Sequence, residues 1–159
     1  MGEGATPLVR SRAIAARLGL PNLYFKVEGA NPTGSYKDRI AAVGLSRTLE
    51  LGVTSWAATS SGNAGAALAA YGARAGMQGT LFTLESAPRA KLSQILAYGP
   101  RAVTIQGLGR DPEVAKNTFR VVGELARARG WALQITAHAF NPIGMEGVRT
   151  ISFEVVEEL

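Results

Sequence analysis

Short apolar segments alternate with longer segments of helical periodicity along most of the chain. Apolar or alternating segments flanked by turn residues predict strands at residues 22–28, 56–59, 80–84, 102–106 and 131–136. Apolar residues at helical spacing predict helices at residues 10–18, 37–51, 66–75, 88–98, 112–130 and 142–159. Strands that alternate with helices in this way form right-handed crossovers. We therefore expect an α/β fold, with a parallel sheet covered by helices on both faces.

Composition narrows the class of protein. The chain has 159 residues and 47% hydrophobic residues, which suits a globular domain or a part of a larger protein. Its net charge of +5 is spread along the chain and only 7% of residues are aromatic, so we expect no nucleic-acid partner. There is no cysteine and no apolar run of membrane-spanning length. We expect a cytoplasmic protein with no membrane partner and no disulfide.

A polar, turn-rich segment at residues 31–39 leads into the second predicted helix and includes its first residues. Pro32 and Gly34 end the preceding strand, and Ser35 is a suitable helix cap. Lys37 then falls in the first helical turn, where the helix dipole disfavours a cation. This position suggests that the amine of Lys37 has a chemical role, although a solvated surface lysine is the commoner explanation of such a residue.

A second polar turn, at residues 60–65, follows the strand predicted at residues 56–59. A strand, a glycine-containing turn and a helix together direct several free backbone N–H groups at one point. The turn therefore predicts a site for a carboxylate or phosphate, to which Asn63 adds a side-chain amide. An ordinary helix cap with no ligand is the alternative. The turn lacks the lysine of a phosphate-binding P-loop.

Other candidate groups carry less information. Gly107 and Gly109 also follow a strand, but Pro112 stands where a dinucleotide-binding turn has its third glycine. His138 is the only histidine, so a metal site is not expected, and a structural or surface role is favoured. Glu146 and Arg149 are spaced as a surface ion pair on a helix.

The two polar turns belong to a longer series of segments. The segments are residues 3–8, 26–29, 31–39, 60–63, 70–76, 91–94 and 141–154, with Pro32-Thr33-Gly34-Ser35-Tyr36-Lys37-Asp38-Arg39 the most specific of them. In this order the chain resembles the tryptophan-synthase-type, or fold type II, family of pyridoxal-phosphate enzymes, and among them most closely the threonine synthases. The resemblance runs through nearly the whole chain. It implies the parallel-sheet, three-layer α/β sandwich of that family.

The resemblance also implies roles for individual residues. Lys37 would form the Schiff base with pyridoxal 5'-phosphate and then act as the acid and base on the substrate. Asn63 would contact the 3'-oxygen of the cofactor. The residues that would hold the carboxylate of an amino-acid substrate are Ser60, Ser61, Gly62, Asn63 and Ala64.

The resemblance implies an incomplete enzyme. Residues 1–50 would belong partly to the larger domain, residues 51–140 would form the smaller α/β domain, and residues 141–159 would lead back to the larger one. Family members bind the cofactor phosphate and the ring nitrogen with residues later than position 159. We therefore expect an N-terminal part with little activity alone, from a lyase that is a homodimer at full length.

Departures from the threonine synthase pattern leave the reaction open. Tyr36 and Ser61 replace a phenylalanine and a threonine that are common there, and these changes are mild. His138, Ala139 and Gly144 stand where an Asn-Ser pair and an arginine take the substrate phosphate. The expected reaction is that of threonine synthase, from O-phosphohomoserine to threonine and phosphate. The alternatives are a dehydratase or β-replacement enzyme acting on another amino acid, and a non-catalytic α/β module.

Overall fold

The computed structural model describes residues 1–159 as an α/β fold. The strands are β1 (Leu8–Arg10), β2 (Tyr24–Lys26), β3 (Ser55–Thr59), β4 (Gln78–Leu84), β5 (Arg101–Ile105) and β6 (Ala132–Leu133). The α-helices are α1 (Ala13–Leu18), α2 (Lys37–Glu50), α3 (Asn63–Arg74), α4 (Arg89–Ala97), α5 (Pro112–Arg129), α6 (Pro142–Met145) and α7 (Thr150–Glu158). Short 3-10 helices cover Glu28–Ala30 and Glu146–Arg149.

Four strands form the central sheet, in the order β5-β4-β3-β6, and every neighbouring pair is parallel. Thr59 at the end of β3 lies opposite Phe82 of β4. The carboxyl ends of these strands therefore share one edge of the sheet, and the parallel α/β architecture predicted from the sequence is confirmed.

One face of the sheet is covered by α2, α3 and α4 around an alanine-rich core. Trp56 is the largest side chain fully buried there. A Cβ atom added to Gly72 would lie 2.5 Å from Trp56 Nε1, and one added to Gly79 would lie 2.1 Å from Trp56 Cζ2. Both glycines are needed because the indole occupies the space of their absent side chains.

The opposite face is covered by α5, whose Val122 and Ala126 pack on Ala57 of β3. Helices on both faces give the three layers expected from the sequence. The Asp111 side chain accepts hydrogen bonds from Glu113 N at 2.9 Å and Val114 N at 3.4 Å, with Pro112 at the first helical position. This is the helix cap that the sequence predicts.

Several predicted boundaries were wrong. The strand predicted at residues 22–28 is shorter, because Glu28–Ala30 form a 3-10 helix, and it pairs antiparallel with the unpredicted β1. The strand predicted at residues 131–136 has two residues, because Gln134 turns its side chain towards α2 after its N–H donates to Ala57 O at 2.8 Å. Helix α3 begins at Asn63 rather than at residue 66, because the turn before it supplies its own cap.

The helix predicted at residues 142–159 is divided into α6, a 3-10 helix and α7. Gly147 lies in the 3-10 helix against α2, where an added Cβ atom would be 2.2 Å from the Arg39 carbonyl oxygen. Glu146 and Arg149 form the predicted exposed ion pair, at 2.8 Å. None of the helices has the length and apolar character needed to cross a membrane.

Candidate active site

Lys37 is the first residue of α2, as the sequence predicts. The preceding loop alternates between buried side chains at Asn31, Thr33 and Ser35 and exposed residues between them. Helix α2 starts after Tyr36, and Ser35 Oγ accepts a 3.3 Å hydrogen bond from Lys37 N. Ser35 therefore contacts the helix start, but the residue at the cap position is Tyr36.

The amine of Lys37 is available for chemistry. Its side chain is half-buried, and Nζ lies 4.7 Å from the centroid of the Tyr36 ring. No hydrogen bond or ion pair joins Nζ to another residue of the chain. The Lys37 amine therefore has no acid partner within the chain, and its contact with the Tyr36 ring has cation–π geometry.

Asp38 connects the loop to the helix through hydrogen bonds. Its side chain is fully buried, and its carboxylate accepts hydrogen bonds from Thr33 N at 2.7 Å and from the Thr33 hydroxyl. Burial raises the pKa of Asp38 above its usual value, while the two Thr33 hydrogen bonds act in the opposite direction. Glu3 and Lys91 are the charged groups that act on it most strongly.

Arg39 holds the start of α2 in place through buried ion pairs. Its side chain is 2% exposed and lies between two carboxylates. Nε and Nη2 donate to Glu28 at 2.8 Å each, while Nη1 and Nη2 donate to Glu154 at 2.5 and 2.8 Å. Hydrogen bonds from Arg39 hold the pKa of Glu154 well below its usual value.

These contacts extend to residues far apart in the sequence. We use the term Arg39 network for Thr6, Lys26, Glu28, Asn31, Arg39, Thr150 and Glu154. Lys26 Nζ lies 2.9 Å from a Glu154 carboxylate oxygen, and the Thr6 hydroxyl donates to Glu28 at 2.7 Å. Sequence reasoning assigned these residues no role, although each lies in a segment that carries the family resemblance. The network connects the N-terminal segment, the loop at residues 31–39 (the Lys37 loop) and α7.

The second candidate motif, residues 60–65, connects β3 to α3. Ser60 Oγ accepts hydrogen bonds from Gly65 N at 2.9 Å and Gly62 N at 3.3 Å, so its hydroxyl oxygen caps the helix. The N–H groups of Ser61, Asn63 and Ala64 have no acceptor within the chain. Free N–H groups at a helix N-terminus suit a carboxylate.

Small residues allow this turn to pack closely. A Cβ atom added to Gly65 would be 3.0 Å from Leu81 and 3.1 Å from Ile95 of α4. Ala64 is buried, whereas the Asn63 side chain is exposed at the first position of α3. A cavity of about 240 Å³ with apolar walls adjoins Ser60 and Ser61 on the α5 side of the sheet.

The structure brings the helices that carry the two motifs into contact. Ala42, Leu45 and Leu49 of α2 line a surface cleft together with Tyr71 and Arg74 of α3. No hydrogen bond joins Lys37 to residues 60–65. The two motifs are therefore linked through packed helices rather than through a direct contact.

His138, Ala139 and Gly144 stand where the threonine synthase pattern has residues for the substrate phosphate. His138 and Ala139 are exposed, and Gly144 N donates to Asn141 Oδ1 at 2.9 Å. A Cβ atom added to Gly144 would lie 2.4 Å from Asn141 Nδ2. Asn141 is itself held by a 2.8 Å hydrogen bond to the buried Gln134. A larger residue at position 144 would displace Asn141, so the glycine is part of the local packing.

Nothing in the structure suggests a metal centre, since no group of three His, Asp or Glu side chains lies close enough together to hold an ion. The donor set at the two motifs is an amine, a carboxamide and backbone N–H groups. Such an amine suits an organic cofactor that has an aldehyde group, and the carboxamide and N–H groups suit an anionic substrate. Pyridoxal 5'-phosphate has such an aldehyde group.

Known proteins agree with this assignment. The sequence profile of the pyridoxal-phosphate dependent enzyme family matches residues 1–159. The chain therefore belongs to that family, whose cofactor is pyridoxal 5'-phosphate.

The curated relatives include threonine synthases. Those of Methanocaldococcus jannaschii and Methanosarcina acetivorans are 39% and 37% identical to this chain over 158 residues. Each match covers 99% of this chain and 37% of the relative. The chain therefore spans less than half the length of these relatives.

Solved structures show the same fold. A pyridoxal 5'-phosphate-dependent aspartate racemase superposes with a TM-score of 0.83 and 28% identity, over 96% of this chain and 46% of the racemase. An O-ureido-L-serine synthase gives a TM-score of 0.70 and 31% identity, over 83% of this chain and 41% of the synthase. Diaminopropionate ammonia lyase from Escherichia coli has a TM-score of 0.82 but only 20% identity, over 99% of this chain and 44% of the lyase, and it supports the fold alone.

Proposed function

We propose that this chain supplies the lysine and the substrate-carboxylate site of a pyridoxal-phosphate-dependent lyase of the threonine synthase type. The reaction is the conversion of O-phosphohomoserine and water to threonine and phosphate. The observation that carries the proposal is the partner-free amine of Lys37, held at the start of α2 by buried side chains on both sides of the helix terminus.

Lys37 has two tasks under this proposal. Its Nζ would hold the cofactor through the aldehyde group. With substrate bound, Nζ would move protons at the substrate carbon atoms. The cofactor, when bound, withdraws electrons from the carbon that loses the proton.

Residues 60–65 bind and orient the substrate. The N–H groups of Ser61, Asn63 and Ala64 donate to its carboxylate, and Asn63 also contacts the cofactor oxygen. Ser60 shapes the turn, since its hydroxyl oxygen already accepts two backbone hydrogen bonds. Helices α2 and α3, which begin at the two motifs, pack against each other and line one cleft, which is consistent with a shared site.

The larger organisation follows from the same proposal. Residues 51–140 form the smaller domain of a longer enzyme, which acts as a homodimer in the cytoplasm. The lengths of the curated relatives support a longer enzyme, because the chain covers 37% of each of the two described above.

Chemical trapping tests the role of Lys37. The intact protein is incubated with pyridoxal 5'-phosphate, reduced with borohydride, digested and mapped by mass spectrometry. We expect the label on Lys37, its loss in Lys37→Ala and its retention in Lys116→Ala, a matched change of an exposed lysine on α5. Labelling spread evenly over surface lysines would refute the proposal.

A dehydratase acting on serine or threonine is the second candidate. It is favoured by Gly144, whose packing against Asn141 leaves no room for the cation expected in a phosphate site. Phosphate release from O-phosphohomoserine and ammonia release from serine and threonine are compared in the same preparation. A higher kcat/KM for phosphate release supports the synthase, and a higher value for ammonia release supports the dehydratase.

A further inference from the structure

Asp38 is a buried carboxylate directly beside the candidate reactive lysine. Its side chain is fully buried, and no salt bridge neutralises it. Both of its hydrogen bonds go to Thr33, one from the backbone N–H at 2.7 Å and one from the hydroxyl. The buried carboxylate therefore depends on these two hydrogen bonds, because a buried polar group without partners is costly.

The contact between Asp38 and Thr33 closes the loop that delivers Lys37. Gly34, within the loop, has a φ of +87°, a left-handed conformation that favours glycine. The chain therefore turns back on itself before α2 begins, and the carboxylate of Asp38 holds the turn closed. The side chain of Lys37 follows the turn directly, and its Nζ lies 4.7 Å from the centroid of the exposed Tyr36 ring.

Asp38 and Arg39 divide the work of fixing α2. Arg39 connects the helix to Glu28 and Glu154, which lie outside the loop or in another helix. Asp38 connects it only to Thr33, within the loop. Loss of the Asp38 contact would free Thr33, while the hydrogen bonds of Asn31 and the contacts of Arg39 would stay in place.

We propose that Asp38 is a positioning residue for Lys37, and that its hydrogen bonds to Thr33 hold Nζ where it can attack the cofactor aldehyde. This inference rests on the proposed function, because it concerns the reactivity of the same lysine. A small misplacement of a reacting group can slow a reaction by about 100-fold. The positioning effect should therefore be visible as a rate, separately from protein stability.

The test measures the rate at which Lys37 forms the coloured adduct with pyridoxal 5'-phosphate in the intact protein. Borohydride trapping and peptide mapping confirm the site of attachment. Asp38→Ala removes both acceptors, Thr33→Val removes the hydroxyl donor alone, and Thr33→Ser restores it. Asp111→Ala is the matched control, because this aspartate caps α5 with two backbone hydrogen bonds and belongs to a different helix.

We expect Asp38→Ala to slow adduct formation by about 100-fold and Thr33→Val by about tenfold, with Thr33→Ser close to the unchanged protein. Asp111→Ala should lower the thermal stability without changing the rate. The inference is overturned if Asp38→Ala and Thr33→Val react at the normal rate, or if Asp111→Ala slows the reaction equally. Should Asp38→Ala fail to fold, Thr33→Val and Thr33→Ser decide the question. Failure of the unchanged protein to label Lys37 would instead refute the proposed function.

Discussion

The Lys37 loop (residues 31–39) and the turn at residues 60–65, here called the Ser60 turn, are held in place by different kinds of interaction. The loop depends on buried charged side chains, and its Arg39–Glu154 contact joins residues 115 positions apart. The Ser60 turn depends on a local cap between residues five positions apart and on small residues at the end of a strand. The loop should therefore be sensitive to changes of charge, and the turn with its helix to added volume.

The largest effect is expected at Arg39. Arg39→Met leaves the carboxylates of Glu28 and Glu154 without their buried partner, so the free energy of unfolding should fall by about 3–5 kcal/mol. Urea denaturation measures this change. The control is Arg120→Met, which removes an exposed ion pair with Glu124 on α5 and should cost less than about 1 kcal/mol. Equal effects of the two substitutions would show that burial of the Arg39 network is unimportant.

A volume change should have the next largest effect, on the α3 side of the comparison. Gly72→Ala places a Cβ atom 2.5 Å from Trp56 Nε1, so we expect a loss of about 1–3 kcal/mol from overpacking. Gly123→Ala on α5 is the matched control, because its Cβ atom would meet no atom within 4 Å. That substitution should stabilise the protein by about 0.5–1 kcal/mol through helix propensity. Stabilisation by both substitutions would contradict the described packing of Trp56.

Acid should weaken the loop more gradually. Burial raises the pKa of Glu28, but hydrogen bonds from Arg39, Thr6 and Asn31 together hold it below the usual 4.5. Hydrogen bonds from Arg39 are the main cause of the lowered pKa of Glu154 and outweigh its burial. Their stabilising contribution is therefore present above about pH 4.5 and is lost as the pH falls, because the unfolded chain binds protons first. Asp38 acts in the opposite direction, since its pKa is raised.

We expect a net loss on the order of 1 kcal/mol for each pH unit below about pH 5. Denaturation curves at several pH values measure it. The loss should be smaller in Arg39→Met, where Glu28 has no cation beside it and Glu154 keeps only Lys26, and unchanged in Gly72→Ala. The same acid dependence in all three proteins would show that the loss of stability at low pH does not come from the Arg39 network.

The same contrast explains which parts of the structure the sequence could predict. The Ser60 turn was located correctly because a short apolar strand, a glycine-containing turn and an alanine-rich helix are adjacent in the chain. The helix start at Asn63 was missed, because the alanine-rich periodicity begins at residue 66 and Ser60 reaches Gly65 N across the turn. Local patterns thus predicted the element but not the partner of one hydroxyl group.

The Arg39 network could not be predicted from local patterns. Glu28 and Glu154 have no periodicity that distinguishes them from surface carboxylates, and only the fold brings them to Arg39. Strand β1 was missed for a similar reason, because its partner β2 lies beyond an intervening helix. The start of α2 at Lys37 was predicted from local turn residues, whereas Glu154, which holds the neighbouring Arg39, lies 115 positions away in the sequence.

A crystal structure of the intact protein with pyridoxal 5'-phosphate and an amino-acid substrate analogue tests the central claim most directly. The claim is that the Lys37 loop and the Ser60 turn form one site. In the cofactor complex we expect continuous density from Lys37 Nζ to the cofactor. With the analogue bound, its carboxylate should accept hydrogen bonds from the N–H groups of Ser61, Asn63 and Ala64. A cofactor attached to another lysine, or a carboxylate bound away from residues 60–65, would contradict the account.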